Sequence, residues 1–225
     1  MFVDEFDIVK VINLPQRADR RREIRQQFES LGAGPDRYEL FEACAPADAG
    51  MFLSRGANGC FQSHFAILQV AAEAGKSVLI VEDDCDFGPE ACNYQVPPDT
   101  DIFYGGYEAI DAGELSESGI IGSHLMGFSA RAAQVAVDYL TGFGDPDFAV
   151  DPTAAAHPDY NKAIRPGIDG AYVWLRRAHP ELKVHFAQPP IGFQRRSRSD
   201  VAPLRFYDRL PGLRFAASIA RAVWR

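Results

Sequence analysis

The run Ser77-Val78-Leu79-Ile80-Val81, followed at once by Glu82-Asp83-Asp84-Cys85-Asp86, constrains this chain more than any other feature. A stretch of branched aliphatic residues without polar alternation reads as a strand buried on both faces, the centre of a sheet covered by helices. Acid chemistry begins where that strand stops. Four carboxylates in five residues repel one another unless solvent or a cation neutralises them, and the carboxyl edge of an open α/β sheet is where ligands bind. In an extended backbone Glu82, Asp84 and Asp86 share one side, which makes them candidate ligands of one hard divalent ion.

The flanking segments alternate between strand and helix signals. Residues 8–14 read as a buried strand broken by Pro15, and the charged run after it carries Ile24, Phe28 and Leu31 at helical spacing before Gly32-Ala33-Gly34-Pro35. Residues 38–44 read as a second strand, 45–56 as a turn-rich loop and 59–74 as a mostly buried helix. Further strands are expected over 101–106, 119–128 and 184–186, helices over 131–140 and 169–178, and a polar, basic loop over 194–200. This order predicts an α/β sandwich with a mostly parallel central sheet. Residues 142–167 carry Pro146, Pro152, Pro158 and Pro166 with little periodicity, the mark of a long functional loop and a candidate lid.

At 225 residues and 47% hydrophobic content the chain can bury one sizeable core, so residues 1–200 are assigned to a single domain. From Arg195 onward eight arginines face two aspartates, making that end +6 and the rest −14 in a chain of net charge −8. The acidic body excludes a nucleic-acid partner. The basic end can meet an anionic surface: over residues 201–225, Phe215, Ile219, Ala222 and Val223 recur at helical spacing beside Arg214, Arg221, Arg225 and Trp224, as in a peripheral membrane segment. Cys44, Cys60, Cys85 and Cys92 show neither zinc-type spacing nor a disulfide framework, and read as reduced thiols. With no basic n-region and no spanning run, the expected location is cytoplasmic, at most touching the inner face of a membrane.

After the first strand, Asn13, Leu14, Arg17 and Arg20 stand where a helix start and guanidinium groups can hold a diphosphate. Arg21 and Arg22 fit a solvated helix face. Ser63 and His64 are adjacent on a helix and so do not face each other, which argues against a nucleophile–base pair; a packed or ligand-contacting histidine fits better. Asp169 opens a helix after the long loop, either as a general base or as an N-cap. The acidic run also has the letters of a receiver-domain first strand, but no later phospho-accepting aspartate or Lys-Pro pair follows. Asp84-Cys85-Asp86 lacks the follow-on residue of a haloacid-dehalogenase-type phosphatase.

Taken in order, Val11-Ile12-Asn13-Leu14 with Arg17, Asp19 and Arg20, Gly59-Cys60-Phe61-Gln62-Ser63-His64, Val81-Glu82-Asp83-Asp84, Gly127 to Ala133 and Ile168-Asp169 resemble glycosyltransferase family 25. That family includes bacterial lipooligosaccharide (lipopolysaccharide biosynthesis) and collagen hydroxylysine galactosyltransferases. The resemblance implies a GT-A-like, Rossmann-like nucleotide-sugar-binding sandwich. It further implies inverting transfer of a sugar, commonly galactose, from a UDP-sugar to a carbohydrate or lipid-linked oligosaccharide acceptor, with manganese or magnesium. Carried over by position, it assigns the metal to Glu82, Asp84 and Asp86, the nucleotide sugar to Asn13, Leu14, Arg17, Arg20, Ser63, His64 and Asp83, and the base to Asp169. Ala57, Gln62 and Cys85 depart from the family pattern. Two rival readings are a catalytically silent nucleotide-sugar-binding protein on the same fold and a sugar-phosphate nucleotidyltransferase. The second would need a glycine-rich loop after Leu14, which is not there.

Overall fold

The computed structural model describes residues 1–145, 147–158 and 160–195. Its strands are β1 (Ile8–Asn13), β2 (Glu39–Glu42), β3 (Val78–Glu82), β4 (Cys85–Phe87), β5 (Ile102–Ala109), β6 (Ile120–Phe128), β7 (Val184–Phe186) and β8 (Gly192–Gln194). Its helices are α1 (Ala18–Ser30), α2 (Arg55–Ala74), α3 (Ala130–Thr141), α4 (Pro152–Ala155) and α5 (Ile168–Ala178). Six strands form one sheet in the order β2-β1-β3-β6-β5-β7, and β4 pairs with β8 in a separate antiparallel ribbon. β1 is parallel to β2 and β3, β5 is parallel to β7, and β6 is antiparallel to both neighbours. The expected α/β sandwich with a mostly parallel sheet is the architecture observed, with β6 reversed. The reversal follows from the connection: ten residues join β5 to β6 as a hairpin, closed by Ile110 N–H to Gly119 C=O and by Asp111 N–H to the Ser118 hydroxyl. So short a link leaves no room for a crossover helix.

The pleat of β3 sets the layers. Val78 and Ile80 join the core beneath α2, α3 and α5, whereas Leu79 and Val81 join the core shared by α1 and the N-terminal turn Phe2–Glu5. All four side chains are fully buried, each contributing about 1.5–3 kcal/mol of transfer free energy. A strand held from both faces gives a rigid mount to whatever follows it.

Several boundaries differ from the sequence reading. α2 begins at Arg55 because the Ser54 hydroxyl caps it, accepting from Ala57 N–H at 3.1 Å, so residues 55 and 56 are helix where a loop was expected. It ends at Gly75, whose φ of 61° takes the left-handed conformation that glycine adopts freely. The long loop is anchored at both ends. Arg165 is 2% exposed, donating to the carbonyls of Phe143 (3.2 Å) and Asp145 (2.7 Å), and its own N–H reaches Met51 C=O. Asp151 caps α4 and pairs with Arg177 at 3.1 Å. The basic segment 201–225 lies outside the described residues. Among those described, no helix is long and apolar enough to cross a membrane.

Candidate active site at the carboxyl edge of the sheet

β3 delivers Glu82, and a turn at Asp83-Asp84 separates it from β4. That turn breaks the strand alternation on which the expected metal set rested. Glu82, Asp84 and Asp86 therefore do not converge on one point, and each goes to a different partner. Asp86 pairs with the guanidinium of Arg195, which also reaches Glu23 at 2.5 Å. This corrects the expectation for Asp86: β4 carries it away from the edge into the ribbon with β8, where the Arg195 side chain occupies both of its oxygens.

Asp83 is turned inward, 6% exposed, with one oxygen accepting from Arg20 at 2.8 Å and the other from Asn13 at 2.7 Å. Asn13 also donates to Arg17 C=O at 3.3 Å and accepts from Arg21 at 3.0 Å. These three buried residues bolt the end of β1 and the first turn of α1 to the β3–β4 turn. Expected as ligand contacts, Asn13 and Asp83 have their polar ends engaged inside the protein, and Arg20 faces two carboxylates, so all three position the edge. Arg21, expected on a solvated face, takes part in the same network. Leu14 and Arg17 remain at the rim, Arg17 turning its guanidinium toward Asp19 at 3.0 Å.

Asp84 is 5% exposed, with one oxygen 3.1 Å from Arg20 and the other buried without a hydrogen-bond partner. Burial first, then repulsion from Glu82, push its pKa up to about 7 against the pull of Arg20. Glu82 behaves oppositely. Burial opposes its charge, but the hydrogen bond and charge of His64, the charge of His124 and the Ser123 hydroxyl at 2.9 Å hold it well below the usual carboxylate range.

α2 presents Cys60 and His64 one turn apart to the same carboxylate: Cys60 Sγ lies 3.8 Å and His64 Nε2 3.4 Å from Glu82 Oε1. His64 is fully buried, its Nδ1 3.0 Å from the Tyr172 hydroxyl on α5. Ser63, the other expected ligand contact on this helix, is fully buried too; its hydroxyl donates to Gly59 C=O at 2.7 Å and accepts from Cys44 N–H at 2.8 Å. It pins the chain after β2 onto α2, its hydroxyl engaged both as donor and as acceptor inside the protein. The same approach explains Gly59, where a Cβ would lie 2.5 Å from Cys44 O. Gly59→Ala is expected to destabilise the protein by about 1–3 kcal/mol although alanine is the better helix former, as a lower urea midpoint would report.

Asp169 is in the first turn of α5, whose N-cap is Gly167, so the N-cap alternative is set aside. Its carboxylate accepts from Gly170 N–H at 2.8 Å and from Gly122 N–H at 3.2 Å. Gly122 has φ 87°, a conformation that turns the start of β6 toward α5 and that side chains rarely adopt. The Cys60 thiol is pushed well up by burial first and then by the charges of Glu82, Asp169 and Asp84. Those three carboxylates therefore share one neighbourhood, reached from β3, the turn after it and α5. Cys60, Ser123, His124 and Tyr172 belong to it as well and were absent from the expected set. Only the four-residue spacing of Cys60 and His64 signals any of them in the sequence.

No protein-family model and no curated protein matches this sequence. Among solved structures, the chain is similar to a glycosyltransferase involved in the glycosylation of the major capsid of PBCV-1, with a TM-score of 0.45 and 14% identity, covering 81% of this chain and 82% of that one. The likeness is too distant to transfer any residue's role.

Proposed function

We propose that this protein is a divalent-cation-dependent, inverting glycosyltransferase that moves a sugar, with galactose the leading choice, from a UDP-sugar to a carbohydrate or lipid-linked oligosaccharide acceptor. The observation that carries the reading is the buried Asp84 carboxylate just past the carboxyl end of the central strand, near enough to Glu82 to be repelled by it and with one oxygen lacking a hydrogen-bond partner. The ordered resemblance to family 25 supplies the substrate class.

An orphaned carboxylate oxygen beside a second acid fits a hard cation such as manganese or magnesium, which takes one or two protein carboxylates and completes its shell with phosphate oxygens and water. Asp84 would hold it, with Glu82 as a neighbouring charge; Asp86 does not fit. Such an ion neutralises charge on a departing diphosphate. The protein's own residues do the rest. Asn13, Asp83 and Arg20 fix the turn that carries Asp84, and Arg17 with the N-terminal amides of α1 lies beside the end of β1, where a pyrophosphate can be met. Asp169 accepts the acceptor hydroxyl proton as that oxygen bonds to the anomeric carbon and the bond to UDP breaks on the opposite face. The basic segment 201–225 would bring the enzyme to the inner membrane face that carries a lipid-linked acceptor.

A panel of UDP-sugars assayed for UDP release, with manganese and simple acceptors, tests the reading. One donor should dominate, and Asp169→Asn should slow its turnover about 10²–10⁴-fold while leaving donor affinity within a few fold. Donor binding without turnover by the wild type would make this a nucleotide-sugar-binding protein. Neither binding nor release of any UDP-sugar by folded protein would overturn both readings.

A further inference from the structure

We propose that Cys60, His64 and Glu82 form a site for one zinc-class divalent cation, distinct from the hard-cation position at Asp84. The inference stands on geometry alone and does not rest on sugar transfer. The three ligand atoms lie within 4.8 Å of one another. Their spacing matches what such an ion imposes. With Zn–S about 2.3 Å, Zn–N about 2.0–2.1 Å and Zn–O about 2.0–2.2 Å, tetrahedral angles set sulfur about 3.6 Å and nitrogen about 3.4 Å from the oxygen. The structure has Cys60 Sγ at 3.8 Å and His64 Nε2 at 3.4 Å from Glu82 Oε1.

A second observation points the same way. His64 is fully buried, and its Nε2 faces Glu82 Oε1 at 3.4 Å, longer than a strong charge-assisted hydrogen bond and close to the separation that a shared ion would set. The other ring nitrogen is in the hydrogen bond with the Tyr172 hydroxyl, the arrangement that fixes the tautomer and ring orientation of metal-bound histidines. Ser123 performs the equivalent service for Glu82, donating to Oε1 at 2.9 Å. A helix supplies two ligands at i and i+4 and a rigid strand end the third, so the set is held before any ion arrives. The donor set of thiolate, imidazole and carboxylate suits zinc, whereas manganese and magnesium favour oxygen. Ion uptake replaces the Cys60 S–H bond by S–Zn and releases the thiol proton to solvent. Three protein ligands leave the fourth position for water or a small anion.

Chelator-stripped full-length protein titrated with cobalt, a spectroscopic stand-in for zinc, tests the site. One equivalent should produce a thiolate-to-cobalt charge-transfer band that zinc bleaches and excess magnesium does not. Cys60→Ser should abolish the band, Cys92→Ser and Asp84→Asn should retain it, and Tyr172→Phe should weaken cobalt affinity about 10–100-fold. No thiolate band in the wild type, or a band that survives Cys60→Ser, would overturn the site; loss of the band in Asp84→Asn would overturn its separateness from the acidic edge. X-ray absorption of the zinc-loaded wild type needs no variant, and a first shell without a sulfur at about 2.3 Å would equally refute it.

Discussion

Asp84→Asn is expected to make the cation-free protein more stable than the wild type at about pH 8 while removing manganese-stimulated turnover. The two effects have one origin. Burial and the Glu82 charge lift the Asp84 pKa from 3.8 to about 7, so the folded state binds more protons than the unfolded state between those values. Stability therefore falls as pH rises through that window, and the cost is complete above it. The amide removes a cost on the order of a few kcal/mol, less what the lost Arg20 ion pair contributed, which amounts to several degrees of melting temperature. The gap between variant and wild type should close as pH drops toward 4. A bound cation contributes several kcal/mol to stabilising leaving-group charge, so turnover should fall about 10³-fold. Calorimetry in chelator at high and low pH, paired with UDP-release assays, reads both. A variant less stable than the wild type at high pH, or one with undiminished manganese stimulation, would sink the assignment of Asp84.

Arg20→Met should act in the opposite sense and destabilise the protein by about 3–5 kcal/mol, because it strands two buried carboxylates without a cation. Both Asp83 and Asp84 lie within 3.1 Å of one guanidinium nitrogen, and all three residues are buried. Combining Arg20→Met with Asp83→Asn should recover part of the loss, since the second change removes one stranded charge. Acid should recover part of it too, by protonating the carboxylates. Urea unfolding of the single and double variants decides the matter. A single-variant cost below about 1 kcal/mol would mean that the pair behaves like a solvent-screened surface bridge.

The central strand and its acidic end were legible because an unbroken aliphatic run has one structural meaning, and the acids follow it directly. What became of each acid was not legible. Assuming extended backbone through Asp86 put three carboxylates on one side, whereas the chain turns after Glu82 and starts a new ribbon at Cys85. β4 and β8 have three residues each, too few to show periodicity. The Asn13–Asp83–Arg20 network joins residues 63 and 70 positions apart, so nothing local announces that these groups serve each other and not a ligand. The α2 pair is different. The four-residue spacing of Cys60 and His64 puts both side chains on one helix face, a signal that is local and present in the sequence. The residues of β6 that complete the site, Ser123 and His124, sit in a strand whose direction is fixed by a hairpin and not by its own letters.

That hairpin bears on how such a protein can diversify. Because β6 runs against its neighbours, its first residues, and not its last, lie toward the carboxyl end of β3. The connection from Ala109 to Ile120 consequently overhangs the same edge as the acids, with Ile110 at its base largely exposed. Arg176 and Arg177 hold its backbone through the carbonyls of Leu115, Ser116, Glu117 and Ser118, so exposed side chains can be exchanged there without altering the aliphatic layers beneath. If the proposed transfer is right, the hairpin is a part of that edge whose side chains can change while the strands that mount the acids stay as they are.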